Sequence, residues 1–220
     1  MRRRGLLLTG VAVAGVAAVL APSARVRPGV TGAAGFPDVD AGAADAQEIA
    51  RFAAMGLDDG EPGADFRPED PVTRGELARM LHRFAGAPAN EVGTVALFAD
   101  VDASHPLARE IAWLKGRGVV SGWIDGTFRP DAPLTRAEQA DVLHTIAVLP
   151  LSAGDAAAAP IAFPDVDPAA PGAGPIGWAG ALGLTPAVSG SPFEPERPVS
   201  RREIARVLVA LDDALRRAGY

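Results

Sequence analysis

Apolar positions along the chain recur in three matching blocks, and within each block their spacing is helical. In the first, Ile49, Phe52, Ala53 and Gly56 fall at i, i+3, i+4 and i+7, one face of a helix. The second gives Ile111, Leu114 and Gly118, and the third gives Ile176 and Gly183. Each glycine is followed by an apolar residue (Leu57, Val119 or Leu184), the pattern of a helix that ends in the left-handed conformation. A second apolar face follows in every block: Ala78, Leu81 and Phe84; Ala140, Leu143 and Ile146; Ala205, Leu208 and Leu211. This periodicity predicts helices near 44–56, 73–85, 106–117, 135–148, 176–182 and 200–217. The fifth is expected to be short, because Pro171, Gly172, Gly174, Pro175 and Gly177 crowd its start. The expected fold is mainly α: three helix–loop–helix units packed as one module of approximate threefold symmetry around a shared core.

The blocks are true repeats. "FPDVD" starts at Phe36, "FADVD" at Phe98 and "FPDVD" at Phe163, spaced 62 and 65 residues apart. A second phenylalanine, Phe66, Phe128 or Phe193, follows 30 residues later in each. It opens a shared pattern, F-x-P-x-x-P-[VL]-[ST]-R-x-E, written "FRPEDPVTRGE", "FRPDAPLTRAE" and "FEPERPVSRRE". Repeat boundaries of 36–86, 98–148 and 163–217 follow. The connections, Gly86 to Leu97 and Leu149 to Ala162, are rich in Ala, Pro and Gly and are expected to be exposed.

The shared pattern divides into structural and chemical parts. Thr73 with Glu76, Thr135 with Glu138 and Ser200 with Glu203 have the spacing of a capping box, in which hydroxyl and carboxylate each take a backbone amide at the helix start. The two prolines hold an extended approach and stop the helix growing backwards. Arg74, Arg136 and Arg201 sit at the first helical position, where a cation opposes the helix dipole by about 0.3–1 kcal/mol. Two readings stand side by side. Either each arginine serves an anionic ligand at the helix N-terminus, or it pairs within the molecule with the repeated Asp38, Asp100 or Asp165.

The N-terminus has an export pattern: three arginines, then an uncharged run from Gly5 to Ser23 rich in Ala, Val and Leu. An export signal over residues 1–24 and a flexible lead over 25–35 are the expectation, with a retained membrane anchor as the competing reading. Pro22 fits poorly with cleavage after either Ala21 or Ala24, and the arginine pair also permits a twin-arginine route.

Composition narrows the chemistry. The net charge is −6, which argues against a duplex nucleic-acid binder. There is no cysteine, so disulfides, thiolate metal sites and a cysteine nucleophile are excluded. "DVDAG" at 38–42 resembles a calcium loop only in part: position 12 is Ile49 where a bidentate glutamate is required. His82 and His144 share one offset on the second helices, with Val209 in the third repeat, and read as solvated helix positions. No H-E-x-x-H, G-x-S-x-G or P-loop occurs, and no carboxylate pair stands out for glycoside hydrolysis. The expectation is therefore no catalytic residue, no metal and no cofactor.

Three copies of F-x-D-V, a helix ending in Gly, the stretch "SGWIDGTFRPDAPLTRAE" and a second helix together resemble the S-layer homology family. The likeness spans roughly Phe36 to Leu215, and the second repeat is nearly a family consensus. The resemblance implies a non-catalytic, exported, three-repeat module at the bacterial cell wall or cell surface. It implies non-covalent binding of anionic secondary cell-wall polysaccharide, often carrying pyruvylated sugars, in grooves between repeats. Carried over residue by residue, it points to Arg74, Arg136 and Arg201, with Trp113 and Trp178 of the first helices. Arg51 stands at the third tryptophan position, and the turns of the first and third repeats lack Asp-Gly. Those departures keep a second reading open, a structural or assembly protein whose repeats bind another surface protein. If each groove joins the arginine of one repeat to the first helix of the next, Arg74 should meet Trp113, Arg136 should meet Trp178, and Arg201 should meet Arg51 in the weakest site. A purely ligand-binding arginine also predicts that Arg136→Ala leaves stability nearly unchanged.

Overall fold

Each repeat is built around its two phenylalanines. Phe36 and Phe66 pack with ring centroids 5.0 Å apart, Phe98 and Phe128 at 5.4 Å, and Phe163 and Phe193 at 5.2 Å. That contact explains the constant interval of 30 residues, which lets the chain run out through a helix and loop and return to the same spot. The computed structural model describes residues 36–60, 63–89, 97–152, 160–185, 187 and 190–220. The expected export signal and lead lie outside the described residues.

Six helices occur among them: α1 Ala46–Ala54, α2 Arg74–Phe84, α3 Ala108–Gly116, α4 Arg136–Ser152, α5 Ala173–Ala181 and α6 Arg201–Arg217. Helices α1, α3 and α5 end as predicted, with Gly56, Gly118 and Gly183 at φ of 73°, 68° and 68°. The amide of the next residue reaches back to Phe52, Leu114 or Ala179, closing a Schellman turn. Two boundaries differ from expectation. Helix α4 continues through residues 149–152, where the composition predicts a connection, because Leu151 extends the buried face of Ala140, Leu143 and Ala147 by another turn. Helix α5 starts at Ala173 rather than near 176. Pro175 falls in its first turn, where the missing amide has no intrahelical partner to lose. Gly177 and Gly180 admit the incoming 160–163 segment: a Cβ on Gly177 would stand 2.8 Å from the Ile161 carbonyl oxygen.

One apolar core runs through all three repeats, from Ile49 and Phe52 to Leu211 and Leu215. Its centre is a ring of backbone hydrogen bonds. Val72 N–H donates to Val199 O (2.9 Å), Val199 N–H to Leu134 O (2.8 Å), and Leu134 N–H to Val72 O (2.8 Å). These are equivalent positions of the three repeats, so the approximate threefold symmetry is closed by covalently remote backbone. Helix pairs complete the ring at the periphery: α2 packs on α3, α4 on α5 and α6 on α1. Each contact joins the second helix of one repeat to the first helix of the next. Three seams result, 1→2, 2→3 and 3→1.

Candidate functional site

The capping boxes fix where the repeated arginines start. Thr73 Oγ1 accepts the Glu76 amide while Glu76 accepts the Thr73 amide at 2.7 Å. Thr135 with Glu138, and Ser200 with Glu203, repeat the arrangement. The next amides of each helix do not point to solvent. Arg74 and Gly75 donate to Ala132 O and Pro130 O, Arg136 and Ala137 to Arg197 O and Pro195 O, and Arg201 and Arg202 to Asp70 O and Pro68 O. In every case the acceptor lies in the proline-bounded segment of the next repeat. The helix N-termini, which could have received an anion, are thus occupied by protein carbonyls.

The arginine side chains follow the same path. Arg74 Nε donates to Phe128 O at 2.8 Å and its Nη1 pairs with Glu138 at 2.6 Å. Arg136 reaches Phe193 O at 2.8 Å, Glu194 at 3.2 Å and Glu203 at 2.7 Å. Arg201 Nε reaches Phe66 O at 2.7 Å and its Nη2 pairs with Asp58 at 2.6 Å. Their side chains retain 13, 7 and 6% of full exposure. Each arginine is therefore a staple from one repeat to the next, including 3→1. Its energetic objection to the helix dipole is answered by a carbonyl and a carboxylate, the latter buried beside Arg136 and Arg201 and partly exposed beside Arg74. Neither sequence reading named these partners. The one signal available was the capping glutamate itself, Glu138 or Glu203, whose second oxygen serves the preceding repeat's arginine in seams 1→2 and 2→3.

Asp38, Asp100 and Asp165 are not the arginines' hydrogen-bonded partners. Each carboxylate accepts two successive amides, from Phe66 and Arg67, Phe128 and Arg129, and Phe193 and Glu194, at 2.7–2.8 Å. Burial opposes the charge on Asp38 and Asp100, but the amides outweigh it and hold both carboxyls below the usual range. For Asp165 the Phe193 amide is the leading cause of the same shift. The carboxylates hold Arg67, Arg129 and Glu194 in left-handed backbone, with φ of 58°, 61° and 58°. For non-glycine residues that conformation needs such support.

The tryptophans do not meet the arginines as expected. Trp113 is 1% exposed and packs edge-on against His82 of α2, centroids 5.4 Å apart. Its ring N–H has no hydrogen-bond partner among the described residues. Trp178, partly buried, meets His144 of α4 in the same way at 5.2 Å. His82 is buried, not solvated, because its ring fills seam 1→2 and hydrogen-bonds Pro88 O at 3.0 Å. At seam 3→1 Arg51 does not contact Arg201. It forms a two-pronged ion pair with Asp213 of α6, at 2.9 and 2.6 Å. The tryptophan near Arg74 is instead Trp123 in the loop of the second repeat, 6.0 Å from the guanidinium carbon to the ring centroid. Trp123 is 45% exposed and Ile124 beside it is fully exposed. Arg129 lies over the Trp123 ring, 4.2 Å from its guanidinium carbon to the ring centroid, and pairs with Asp125.

Among the described residues no cluster of three His, Asp or Glu side chains could hold a metal ion, and no helix is long and apolar enough to cross a membrane.

Comparison with known proteins matches the three repeats. The family model for the S-layer homology domain covers residues 35–78, 97–140 and 162–205, together more than half of the chain. A cellulosome-anchoring protein of Acetivibrio thermocellus is 38% identical over 87 residues, 39% of this chain and 20% of that protein. Cell surface glycoprotein 1 of the same organism is 35% identical over 85 residues, 38% of this chain and 4% of that protein. The similarity thus spans a fifth of the first relative and a far smaller share of the second.

Proposed function

The chain belongs to the S-layer homology domain family, and from that premise we propose that it is a non-catalytic anchoring module of the cell surface. Its ligand in this reading is anionic secondary cell-wall polysaccharide, including pyruvylated forms. The observation that carries the proposal is the closed ring of three family repeats, stapled by Arg74, Arg136 and Arg201. Such a ring presents three seams to solvent on one rigid body, suited to gripping a repetitive polymer at more than one point. The names of the two relatives, an anchoring protein and a cell-surface glycoprotein, point the same way. In this reading the arginines, Trp113 and Trp178 act by shaping the seams. An exported location follows from the anchoring role and from the N-terminal pattern.

The test is sedimentation of the full chain with purified cell wall, before and after removal of the non-peptidoglycan polymer. The reading predicts that the protein sediments with intact wall and stays in solution with stripped wall. Equal sedimentation with both overturns the polysaccharide assignment and favours a surface-protein or peptidoglycan partner.

A further inference from the structure

The loops between first and second helices differ most at their tips. In the second repeat the tip is Trp123-Ile124, the two large hydrophobic side chains exposed among the described residues. The same positions are Glu61-Pro62 in the first repeat and Val188-Ser189 in the third. A scattered exposed aliphatic side chain is ordinary, but Ile124 is held out to solvent by a stiff turn. The Gly126 amide donates to Trp123 O at 2.9 Å and the Trp123 amide to Thr127 O at 2.8 Å. The Asp125 carboxylate accepts the Thr127 amide and hydroxyl at 3.0 and 2.6 Å and an Arg129 N–H at 2.8 Å. A side chain presented on such a turn loses little conformational freedom when it docks.

A seat for it lies at a different seam. In seams 1→2 and 2→3 a tryptophan and a histidine meet edge-on and fill the space between helices. In seam 3→1 their positions are Arg51 and Val209, and Arg51 is drawn one turn along α6 to Asp213. A cleft of about 200 Å³ remains between α1 and α6, lined in part by Arg206, Val209 and Ala210. That is far above the roughly 15 Å³ that admits one water, and it is enough for one branched aliphatic side chain. The charges also match. Arg206 is exposed and makes no hydrogen bond or ion pair among the described residues. Asp125, next to Ile124, is half-exposed and held ionised by its bonds to Thr127 and Arg129. The turn is fixed beside Arg74 at seam 1→2, so it cannot enter the cleft of its own molecule.

We propose that Ile124 of one copy seats in the α1–α6 cleft of a second copy, joining two molecules of this chain head to tail. Ile124 meets Val209 and Ala210, and Arg206 pairs with Asp125 at the edge of the contact. Turn and cleft are unlike surfaces, so each added copy still offers one free turn and one free cleft, and the series can continue. A contact of one turn buries far less than the roughly 1,200 Å² of a stable complex. It is therefore transient between two free molecules and cumulative among many held side by side. Only that crowded setting rests on the anchoring reading; the contact itself does not.

The test is sedimentation velocity of the purified full chain, without wall material, over a concentration series reaching about 1 mM. The parent should sediment faster as concentration rises. Ile124→Ser removes the knob, and Ala210→Trp fills the cleft. Each should weaken association at least tenfold, the order expected when one aliphatic side chain is no longer withdrawn from water. Mixing the two variants leaves one intact turn and one intact cleft, so the mixture should form pairs and nothing larger. If Ala210→Trp loses its helical signal, Arg206→Glu takes its place as the cleft variant, because that side chain is exposed and unpaired. A parent that stays monomeric throughout overturns the proposal. So does an Ile124→Ser protein that associates like the parent, or a mixture of the two variants that forms no pairs.

Discussion

Seams 1→2 and 3→1 use the same backbone hydrogen bonds and the same arginine staple, yet one is solid and the other is open. The staple is common: Arg74 grips Phe128 O as Arg201 grips Phe66 O. The difference lies farther out, where His82 and Trp113 fill one seam while Val209 and the Arg51–Asp213 pair leave the other hollow. The arginine of the repeated motif is therefore committed to holding the ring. The repeats differ instead at the outer helix positions: Arg51, Trp113 and Trp178 on the first helices, His82, His144 and Val209 on the second.

Substitutions can break that contrast, beginning with the largest effect. Trp113→Ala empties a buried site in the solid seam and should destabilise the protein by about 3–5 kcal/mol, read from the denaturant midpoint. Arg51→Ala, at the equivalent position of the open seam, removes a half-exposed ion pair and should cost below about 1 kcal/mol. Equal losses would mean that both seams are packed alike. Arg136→Ala leaves the Phe193 carbonyl and the buried Glu203, still held by the Ser200 amide and Arg197, without their link to the second repeat and should cost about 3 kcal/mol. That replaces the neutral outcome expected of a purely ligand-binding arginine, and a neutral result would restore it. Thr135→Ala removes a cap and should cost about 1 kcal/mol by the same measurement; an unchanged midpoint would mean the cap does not hold the α4 start.

The smallest effect concerns pH. Burial lowers the pKa of His144 below its ordinary 6.5, against a weaker opposing pull from Asp141. The neutral ring is then the folded form, so its contribution is complete above about pH 6.5 and declines as pH falls below that value. The melting temperature should fall slightly more between pH 7 and 5 for the parent than for His144→Phe. Identical pH profiles would place His144 in an environment no drier than water.

The helical periodicity, the capping boxes and the glycine helix ends are legible in the sequence because each is a local arrangement with a short-range cause. The resemblance to the S-layer homology family was legible for the same reason, carried by residues close together in each repeat. What sequence could not place was contact between repeats. The arginine's partners are a carbonyl and a carboxylate more than fifty residues away, and nothing local distinguishes Glu138 as both a cap and the partner of Arg74. His82 looked like a surface residue because its burial depends on Trp113 of another repeat. The open seam was hidden for a related reason: it is made by two small departures, Arg51 and Val209, at opposite ends of the chain.

Arginine and tryptophan side-chain NMR of the isotopically labelled full chain, with purified wall polymer added, tests most directly whether stapling and recognition are separate. The account predicts that the signals of the exposed Arg51 Nε–H and Trp123 indole N–H shift while those of the Trp113 indole N–H, Arg74 and Arg136 stay in place. Shifts centred on Trp113, Arg74 and Arg136, with Arg51 and Trp123 unmoved, would contradict it.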